Sequence, residues 1–369
     1  MSTAEAPRPL LASYLVPLAV AVAVLLSMQA RFMGDTVDYV NNSFEFDYQS
    51  WDFGHLVWVP IGTLAMTLGR EGVLWTFLVV NALAGVASVL LLRATLGLVG
   101  VRPWTAAAVS VALLFAQAML NFTLTGSSYV PGLACTLLAL YLALLRPESS
   151  CGAWLAAIGS GFAMAGAITI WFPYVLVVPG VFLAPVIVHG YDRARLWFVV
   201  RATVAMGVLI LATYGPTAWM MGVRDFGGLS GWMAKSSHGV RTGPQPARAV
   251  FGLARSFVFM GDDGLLFKRY LVRDPFNPVR VADLARLSLW KLGFFYLLLA
   301  AVTGALSFSA RGRRFLLLAL VGGVPVVAFG LFWQGGDMER YMPLYPFFFL
   351  ADRFRNPRQP MALHDCLFF

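Results

Sequence analysis

The sequence predicts an all-α polytopic membrane protein with about ten transmembrane helices, and three observations support this fold class. Hydrophobic residues make up 59% and charged residues 12% of the 369 residues, and mean hydropathy is +0.74. Several apolar runs of about twenty residues carry few charges and are long enough to cross a bilayer as helices. No internal repeat of solenoid length is present. We therefore expect a single membrane domain, residues 1–351, followed by a polar C-terminal tail, residues 352–369.

The spans follow from the apolar runs in chain order. The first, Leu10–Ala30, is interpreted as a retained signal anchor, with a signal peptide cleaved near Ala30 as the alternative. The last, Tyr341–Ala351, is short. Between them the predicted spans are Gly72–Leu92, Trp104–Asn121, Val130–Leu145, Ala153–Ile170, Trp171–His189, Leu196–Tyr214, Trp290–Ala310 and Phe315–Trp333.

The first outer loop, residues 31–71, concentrates acidic and aromatic residues. Its stretch Arg31–Pro60 carries five of the eighteen acids of the chain, with aromatic residues between them and His55 after them; the acids are Asp35, Asp38, Glu45, Asp47 and Asp52. This composition favours a pocket at the membrane surface over the alternative of an ordinary solvated loop. The stretch His55–Gly69 is apolar but too short to cross a bilayer, so we expect a juxtamembrane helix lying at the interface.

The arginines of the short loops predict the orientation. A cytoplasmic N-terminus leaves only Arg31, Arg70 and Arg340 in the short outer loops. Nine arginines then lie inside, namely Arg8, Arg93, Arg102, Arg146, Arg193, Arg195, Arg311, Arg313 and Arg314. This is the positive-inside bias of membrane proteins. The chain is therefore predicted to be an integral protein of a bacterial plasma (inner) membrane, with its active face periplasmic or extracellular.

A long outer segment, residues 215–289, is predicted to form a basic flap. It holds ten basic residues against five acidic ones, and residues 246–260 show the pattern of a basic amphipathic helix in the headgroup plane. Arg248 and Arg255, seven residues apart, share one face of that helix. The flap is interpreted either as a surface that binds anionic lipid or as a lid whose basic side chains hold the phosphates of a lipid-linked substrate.

Asp35 is the candidate general base. It follows the first span by about five residues and is surrounded in sequence by aromatic residues, so its carboxylate is expected to be partly desolvated and suited to accept a proton. Asp38 lies three residues on and would share its helical face, which predicts a carboxylate pair that takes a proton or holds an ion. The alternative is a helix N-cap with a charged first turn.

Glu339 and Arg340 lie just before the last predicted span, and Tyr341 is its first residue. A guanidinium group is always charged and binds phosphate through two hydrogen bonds, so Arg340 is the candidate ligand of a lipid phosphate. The alternative is an arginine that snorkels to the headgroups. Gly335 and Gly336 allow a tight turn just before these residues.

The remaining composition narrows the function classes. The net charge is +9, but the basic residues are spread among apolar segments, which favours membrane lipids and a phosphate-bearing lipid over nucleic acid as partners. We find no P-loop, nucleophile elbow, zincin motif or dinucleotide fingerprint. Four scattered histidines and three scattered cysteines predict no metal site and no cofactor, while a divalent-metal requirement is left open.

The layout resembles the GT-C superfamily of integral-membrane glycosyltransferases, such as protein mannosyltransferases and aminoarabinose transferases. Three stretches carry the resemblance: GDTVDY soon after the first span, GHLVWVP ahead of the juxtamembrane helix, and ERYMPLYPFFFL late in the chain. The sequence departs from the family pattern in having no proline directly after His55. Its acid pair is also spaced Asp-x-x-Asp instead of being adjacent.

The resemblance implies a sugar transfer at the outer face. The donor would be a polyprenyl-phosphate sugar and the acceptor a glycan, a lipid or a protein. Asp35 would activate the acceptor, Arg340 would hold the departing phosphate, and Asp38, His55, Glu339 and Tyr341 would line the pocket. Two other classes stay open: a transporter or flippase for a lipid or small solute, and a non-catalytic scaffold of cell-envelope assembly.

Overall fold

The computed structural model describes residues 11–30, 35–44, 51–236, 243–260, 266, 269–270 and 278–351. Every regular element within these ranges is helical, which confirms the all-α class. Six helices in the described ranges are long and apolar enough to cross a membrane, and three shorter apolar helices accompany them. The count of about ten spans stays a prediction. Glu45, Asp47 and the C-terminal tail lie outside the described residues.

The helices are numbered in chain order. They are α1 (Ala12–Ser27), α2 (Thr36–Phe44), α3 (Trp58–Thr63), α4 (Gly69–Leu98), α5 (Pro103–Leu114), α6 (Gln117–Phe122), α7 (Tyr129–Leu144), α8 (Ser150–Ile170), α9 (Val178–His189), α10 (Arg193–Met220), α11 (Phe226–Lys235), α12 (Pro246–Phe257), α13 (Val281–Leu284), α14 (Trp290–Ser307), α15 (Ala310–Phe332) and α16 (Tyr345–Ala351). Short 3₁₀ segments cover Phe53–His55, Met66–Leu68, Phe172–Val177 and Met338–Leu344, and a π-helical segment, Ala285–Leu289, joins α13 to α14.

The centre of the molecule is a layer of packed spans. Helix α7 packs against α4 and α8, and α8 packs in turn against α10. Gly161 permits the close α8–α10 contact, because a Cβ at this position would lie 2.4 Å from the carbonyl oxygen of Ala202. Small residues at helix interfaces let membrane helices approach in this way.

Several predicted elements are divided differently in the structure. The predicted span Trp104–Asn121 forms two helices, because the chain turns extended at Ala116 between α5 and α6. The predicted span Trp171–His189 begins as a 3₁₀ segment that contains Pro173, a residue that cannot donate a backbone hydrogen bond. The juxtamembrane stretch His55–Gly69 also contains short helical pieces and no single continuous helix.

The amphipathic helix of the flap is present as α12, but protein and not lipid covers much of its apolar face. Phe251 and Ala254 are buried in a cluster with Met260 and Phe295, whereas Val250 is exposed. Helix α12 contacts α14, α15 and the Met338–Leu344 segment. The flap helix is therefore part of the wall around that segment.

Candidate active site

Asp35 lies immediately before α2, which is fixed against the loop between α6 and α7. The hydroxyl of Thr36 accepts a hydrogen bond from the Gly126 amide at 3.0 Å, and the indole of Trp58 donates to the Gly126 carbonyl at 2.8 Å. The Asp35 carboxylate is half-buried and accepts a hydrogen bond from the Tyr39 hydroxyl at 3.3 Å. The uncharged side chains of Thr36 and Trp58 therefore hold the backbone near Asp35, and the Asp35 carboxylate keeps part of its surface exposed.

Asp38 has a different environment from Asp35. The side chain of Asp38 is exposed, whereas Thr36, Tyr39 and Ser43 form the buried face of α2. Residues three apart on a helix are neighbours. In the structure, however, the Asp35 carboxylate is half-buried and the Asp38 carboxylate is exposed. Substrate binding by Asp38 stays a prediction.

His55 is a buried anchor of the first outer loop. Burial lowers the pKa of its imidazole, although Asp52 and Asp35 act in the opposite direction. The neutral ring carries one N–H group, and the Ile170 carbonyl interacts with it. The other nitrogen, Nδ1, lies 2.8 Å from the hydroxyl of Ser128, which then acts as the donor. Both ring nitrogens are thus engaged by protein groups, and contact with substrate stays a prediction.

Asp52 connects this loop to the flap. Its carboxylate accepts hydrogen bonds from the Gly54 amide at 2.9 Å and from the Ser236 hydroxyl just after α11. The indole of Trp232 on α11 also donates to the Trp51 carbonyl at 2.9 Å. Helix α11 is therefore attached to the wall of the site. The sequence showed Asp52 only as one member of an acidic cluster.

Arg340 lies on a second segment, residues 334–344, which we call the late segment. Its guanidinium donates to the side chain of Gln334, lies 5.8 Å from the centre of the Trp171 ring, and has its Nε 4.0 Å from Glu339. That Nε is buried and has no hydrogen-bond partner within the described part of the chain. A buried donor without a partner is costly, so the group is suited to receive an anionic acceptor.

Glu339 is largely buried beside Arg340. Burial raises the pKa of its carboxyl group to about 7, with Asp337 raising it further and Arg340 and Arg255 lowering it. Near neutral pH the Glu339 carboxyl group is therefore divided between its protonated and ionised forms. A pKa near 7 suits a group that takes up and releases a proton at neutral pH.

Helix α12 holds the late segment in place. The buried Tyr341 hydroxyl lies 3.0 Å from the Ala249 carbonyl and 2.9 Å from the Gly335 carbonyl. A Cβ on Gly252 would lie 2.0 Å from the same Gly335 oxygen, so only glycine allows this contact. Tyr341 was predicted to bind substrate; its hydroxyl instead fastens the loop, and substrate contact stays a prediction.

The two segments meet at one place. Asp35 from the first outer loop and Arg340 from the late segment both act electrostatically on His55 and on Tyr129 at the start of α7. Arg255 reaches the same region, since its guanidinium donates to the Gly336 carbonyl at 3.1 Å. The amphipathic helix pattern pointed in part to Arg255, whereas no sequence signal pointed to Tyr129.

The described residues contain no group of three His, Cys, Asp or Glu side chains arranged to hold a metal ion. The question of a divalent-metal requirement therefore stays open.

Comparisons of the sequence find no matching protein-family model and no matching curated protein. Comparison of the structure finds solved proteins with a similar fold. ArnT from Cupriavidus metallidurans, in a crystal structure bound to undecaprenyl phosphate, superposes with a TM-score of 0.55 at 18% identity, over 92% of this chain. The oligosaccharyltransferase of Archaeoglobus fulgidus in the apo form superposes with a TM-score of 0.53 at 11% identity, over 93% of this chain.

The chain has the GT-C fold. Both solved proteins are GT-C glycosyltransferases, in agreement with the resemblance seen in the sequence. The chain spans 59% of the ArnT chain and 50% of the oligosaccharyltransferase chain. Within this GT-C fold, the described site joins the first outer loop, the start of α7, the flap helix α12 and the late segment.

Proposed function

We propose that this protein is a glycosyltransferase that moves a sugar from a polyprenyl-phosphate donor to an acceptor at the outer face of a bacterial plasma membrane. The observation that carries the proposal is a chain of contacts that joins Asp35 to Arg340. Tyr39 donates to Asp35 at 3.3 Å and its ring lies 5.2 Å from the His55 ring. The His55 ring lies 6.5 Å from the Tyr129 ring, which lies 4.7 Å from the Trp171 ring. The Arg340 guanidinium lies 5.8 Å from the Trp171 ring. A base and a phosphate-binding cation are the two groups that this transfer requires, and they come from opposite ends of the chain.

The proposed reaction is a substitution at the anomeric carbon. Asp35 takes the proton of the acceptor nucleophile, whose freed electron pair forms the new bond to that carbon. The bond between the anomeric carbon and the phosphate oxygen breaks, and its electron pair leaves with the polyprenyl phosphate. Arg340 stabilises the charge that develops on this phosphate, and Arg255 adds a second positive charge nearby.

A lipid-linked donor fits the site better than a nucleotide sugar. ArnT, which shares the fold, was solved with undecaprenyl phosphate. The arginine distribution supports an outward-facing site, whereas nucleotide sugars are made in the cytoplasm. In this proposal Asp38, His55, Glu339 and Tyr341 shape the pocket, and the acceptor is a glycan, a lipid or a protein.

Sugar transfer by the purified protein tests the proposal. A panel of polyprenyl-phosphate sugars is supplied in detergent with glycan, lipid and peptide acceptors, and product is measured by mass spectrometry. Donor binding is measured in parallel as an increase in the temperature of thermal unfolding, because a ligand that binds the folded state stabilises it. Transfer from one donor supports the proposal. If the protein neither transfers from nor binds any member of the panel, the transporter or scaffold becomes the better assignment.

A further inference from the structure

A groove lies between α8 and α10, away from the residues of the proposed sugar-transfer site. It has a volume of about 580 Å³, within the range of ligand pockets. Its lining is apolar and aromatic apart from one cation, Arg201, and includes no acidic residue. Both helices are candidate membrane spans, so the groove opens onto the bilayer.

Arg201 is an unusual residue for this location. Its guanidinium stacks on the Trp154 ring at 3.8 Å from the centroid, and its Nε is buried with no hydrogen-bond partner among the residues that the structure describes. Arg195, six residues earlier, is in contrast paired with Asp192 at 3.1 Å. A cation within a membrane span is costly unless an anion or polar group accompanies it. An anionic ligand would supply the missing partner.

The shape of the groove matches an amphiphilic molecule. Arg201 lies about 12 Å along the axis from the first residue of α10, and the lining continues to Val208, about 17 Å beyond the level of Trp197. The hydrocarbon of one leaflet is about 15 Å thick, half of the bilayer core. Below Arg201 the apolar lining runs to Val208, about 10 Å further along the axis. The groove therefore offers a charged group on the side of one membrane surface and an apolar channel of about two-thirds of leaflet depth below it.

We propose that this groove binds one phospholipid with an anionic headgroup, its phosphate on Arg201 and one acyl chain along Phe162 and Val208. The positive-inside pattern assigns this lipid to the cytoplasmic leaflet. The site is separate from the sugar-transfer site, and its occupancy does not depend on the function proposed above.

Photocrosslinking in a bilayer tests the site. The full chain is reconstituted in phosphatidylcholine vesicles doped with either phosphatidylglycerol or phosphatidylcholine that carries a diazirine on one acyl chain. Crosslinked peptides from α8 and α10 are then quantified by mass spectrometry. One arginine near the membrane surface favours an anionic lipid about fivefold, so the phosphatidylglycerol probe should label these peptides about fivefold more.

Three variants separate a specific site from ordinary contact with the bilayer. Arg201→Gln should make labelling by the two probes equal, and Val208→Trp should lower labelling by filling the apolar end. Arg193→Gln, a change at an exposed arginine of the same helix, should leave the preference unchanged.

Equal labelling of the wild-type protein by both probes overturns the proposal, as does an Arg201→Gln variant that keeps the preference. Absence of labelling of α8 and α10 by both probes overturns it as well. If Arg201→Gln does not fold, the wild-type preference and the Val208→Trp variant decide.

Discussion

The two segments that form the candidate site are built in opposite ways. In the first outer loop, neutral side chains of Thr36 and Trp58 bind one backbone unit at Gly126, and the carboxylate of Asp35 stays half-exposed. In the late segment, close backbone contact through glycine and the buried Tyr341 hydroxyl set the chain path. There the charged groups themselves, Glu339 and Arg340, are largely buried.

This difference separates two chemical tasks. A carboxylate that keeps part of its surface exposed can be reached by an entering acceptor and can take its proton. A buried guanidinium whose Nε has no hydrogen-bond partner among the described residues can donate to a further acceptor, such as a phosphate oxygen. The first outer loop is therefore suited to activate an acceptor, and the late segment to bind a phosphate that gains charge during the reaction.

The largest effect is expected for Asp35→Asn. An amide cannot take the proton of the acceptor, so turnover should fall about 10²- to 10⁴-fold while donor binding is retained. Steady-state transfer and thermal unfolding of the purified variant measure both quantities. Asp38→Asn is the matched comparison, because the same change is made three residues away on an exposed side chain. A loss as large in Asp38→Asn would transfer the base assignment to that residue.

Arg340→Ala should have the next largest effect. Removing a donor that stabilises developing negative charge lowers turnover about 10²- to 10³-fold in known cases. Arg340→Lys should recover only part of the activity, because an ammonium group does not bind phosphate in the bidentate geometry. Arg248→Ala on α12 is the control: this exposed arginine donates a hydrogen bond to Gln245 and makes no side-chain hydrogen bond to the late segment among the described residues. Unchanged turnover in Arg340→Ala would leave the phosphate without its assigned ligand.

The stability of the Glu339→Gln variant tests whether a buried charge in the late segment destabilises the folded protein. Burial raises the Glu339 pKa from 4.5 to about 7, so the folded protein binds more protons than the unfolded chain between these pH values. Stability therefore falls as the pH rises through this window, by about 3 kcal/mol once the group is ionised above pH 7. Glu339→Gln should remove this fall and should unfold at a higher temperature than wild type above pH 7. Parallel pH profiles for the two proteins would show that Glu339 is not the group responsible.

Gly252→Ala tests the glycine contact that places the late segment. The added Cβ would meet the Gly335 oxygen at 2.0 Å, and relief of such overpacking costs about 1–3 kcal/mol. Thermal unfolding should shift down and transfer should fall with it, because Arg340 and Arg255 both depend on this loop. Gly231→Ala on α11, where no atom lies within 4 Å of the new Cβ, should not lower stability. Equal stability in the two variants would mean that the loop moves without cost.

Sequence reasoning predicted the all-helical fold class, which the structure confirms. It proposed Asp35 and Arg340 because an acid after the first span and an arginine before the last one are local features, and their roles stay predictions. It placed Asp38 beside Asp35, but the buried face of α2 depends on what packs against it, and Thr36, Tyr39 and Ser43 occupy that face. It expected the apolar face of the flap helix to lie in the headgroup plane, whereas Phe251 and Ala254 are covered by protein.

The sequence by itself determined that the chain is helical and suited to a membrane, because hydropathy and helix length are properties of consecutive residues. The tertiary structure decided which charged groups meet. Asp35, His55, Tyr129 and Arg340 come from distant parts of the chain, and only helix packing brings them into one electrostatic environment. Packing also decided that Glu339 is buried and that Arg201 faces an apolar groove, since desolvation depends on neighbours that no local pattern encodes.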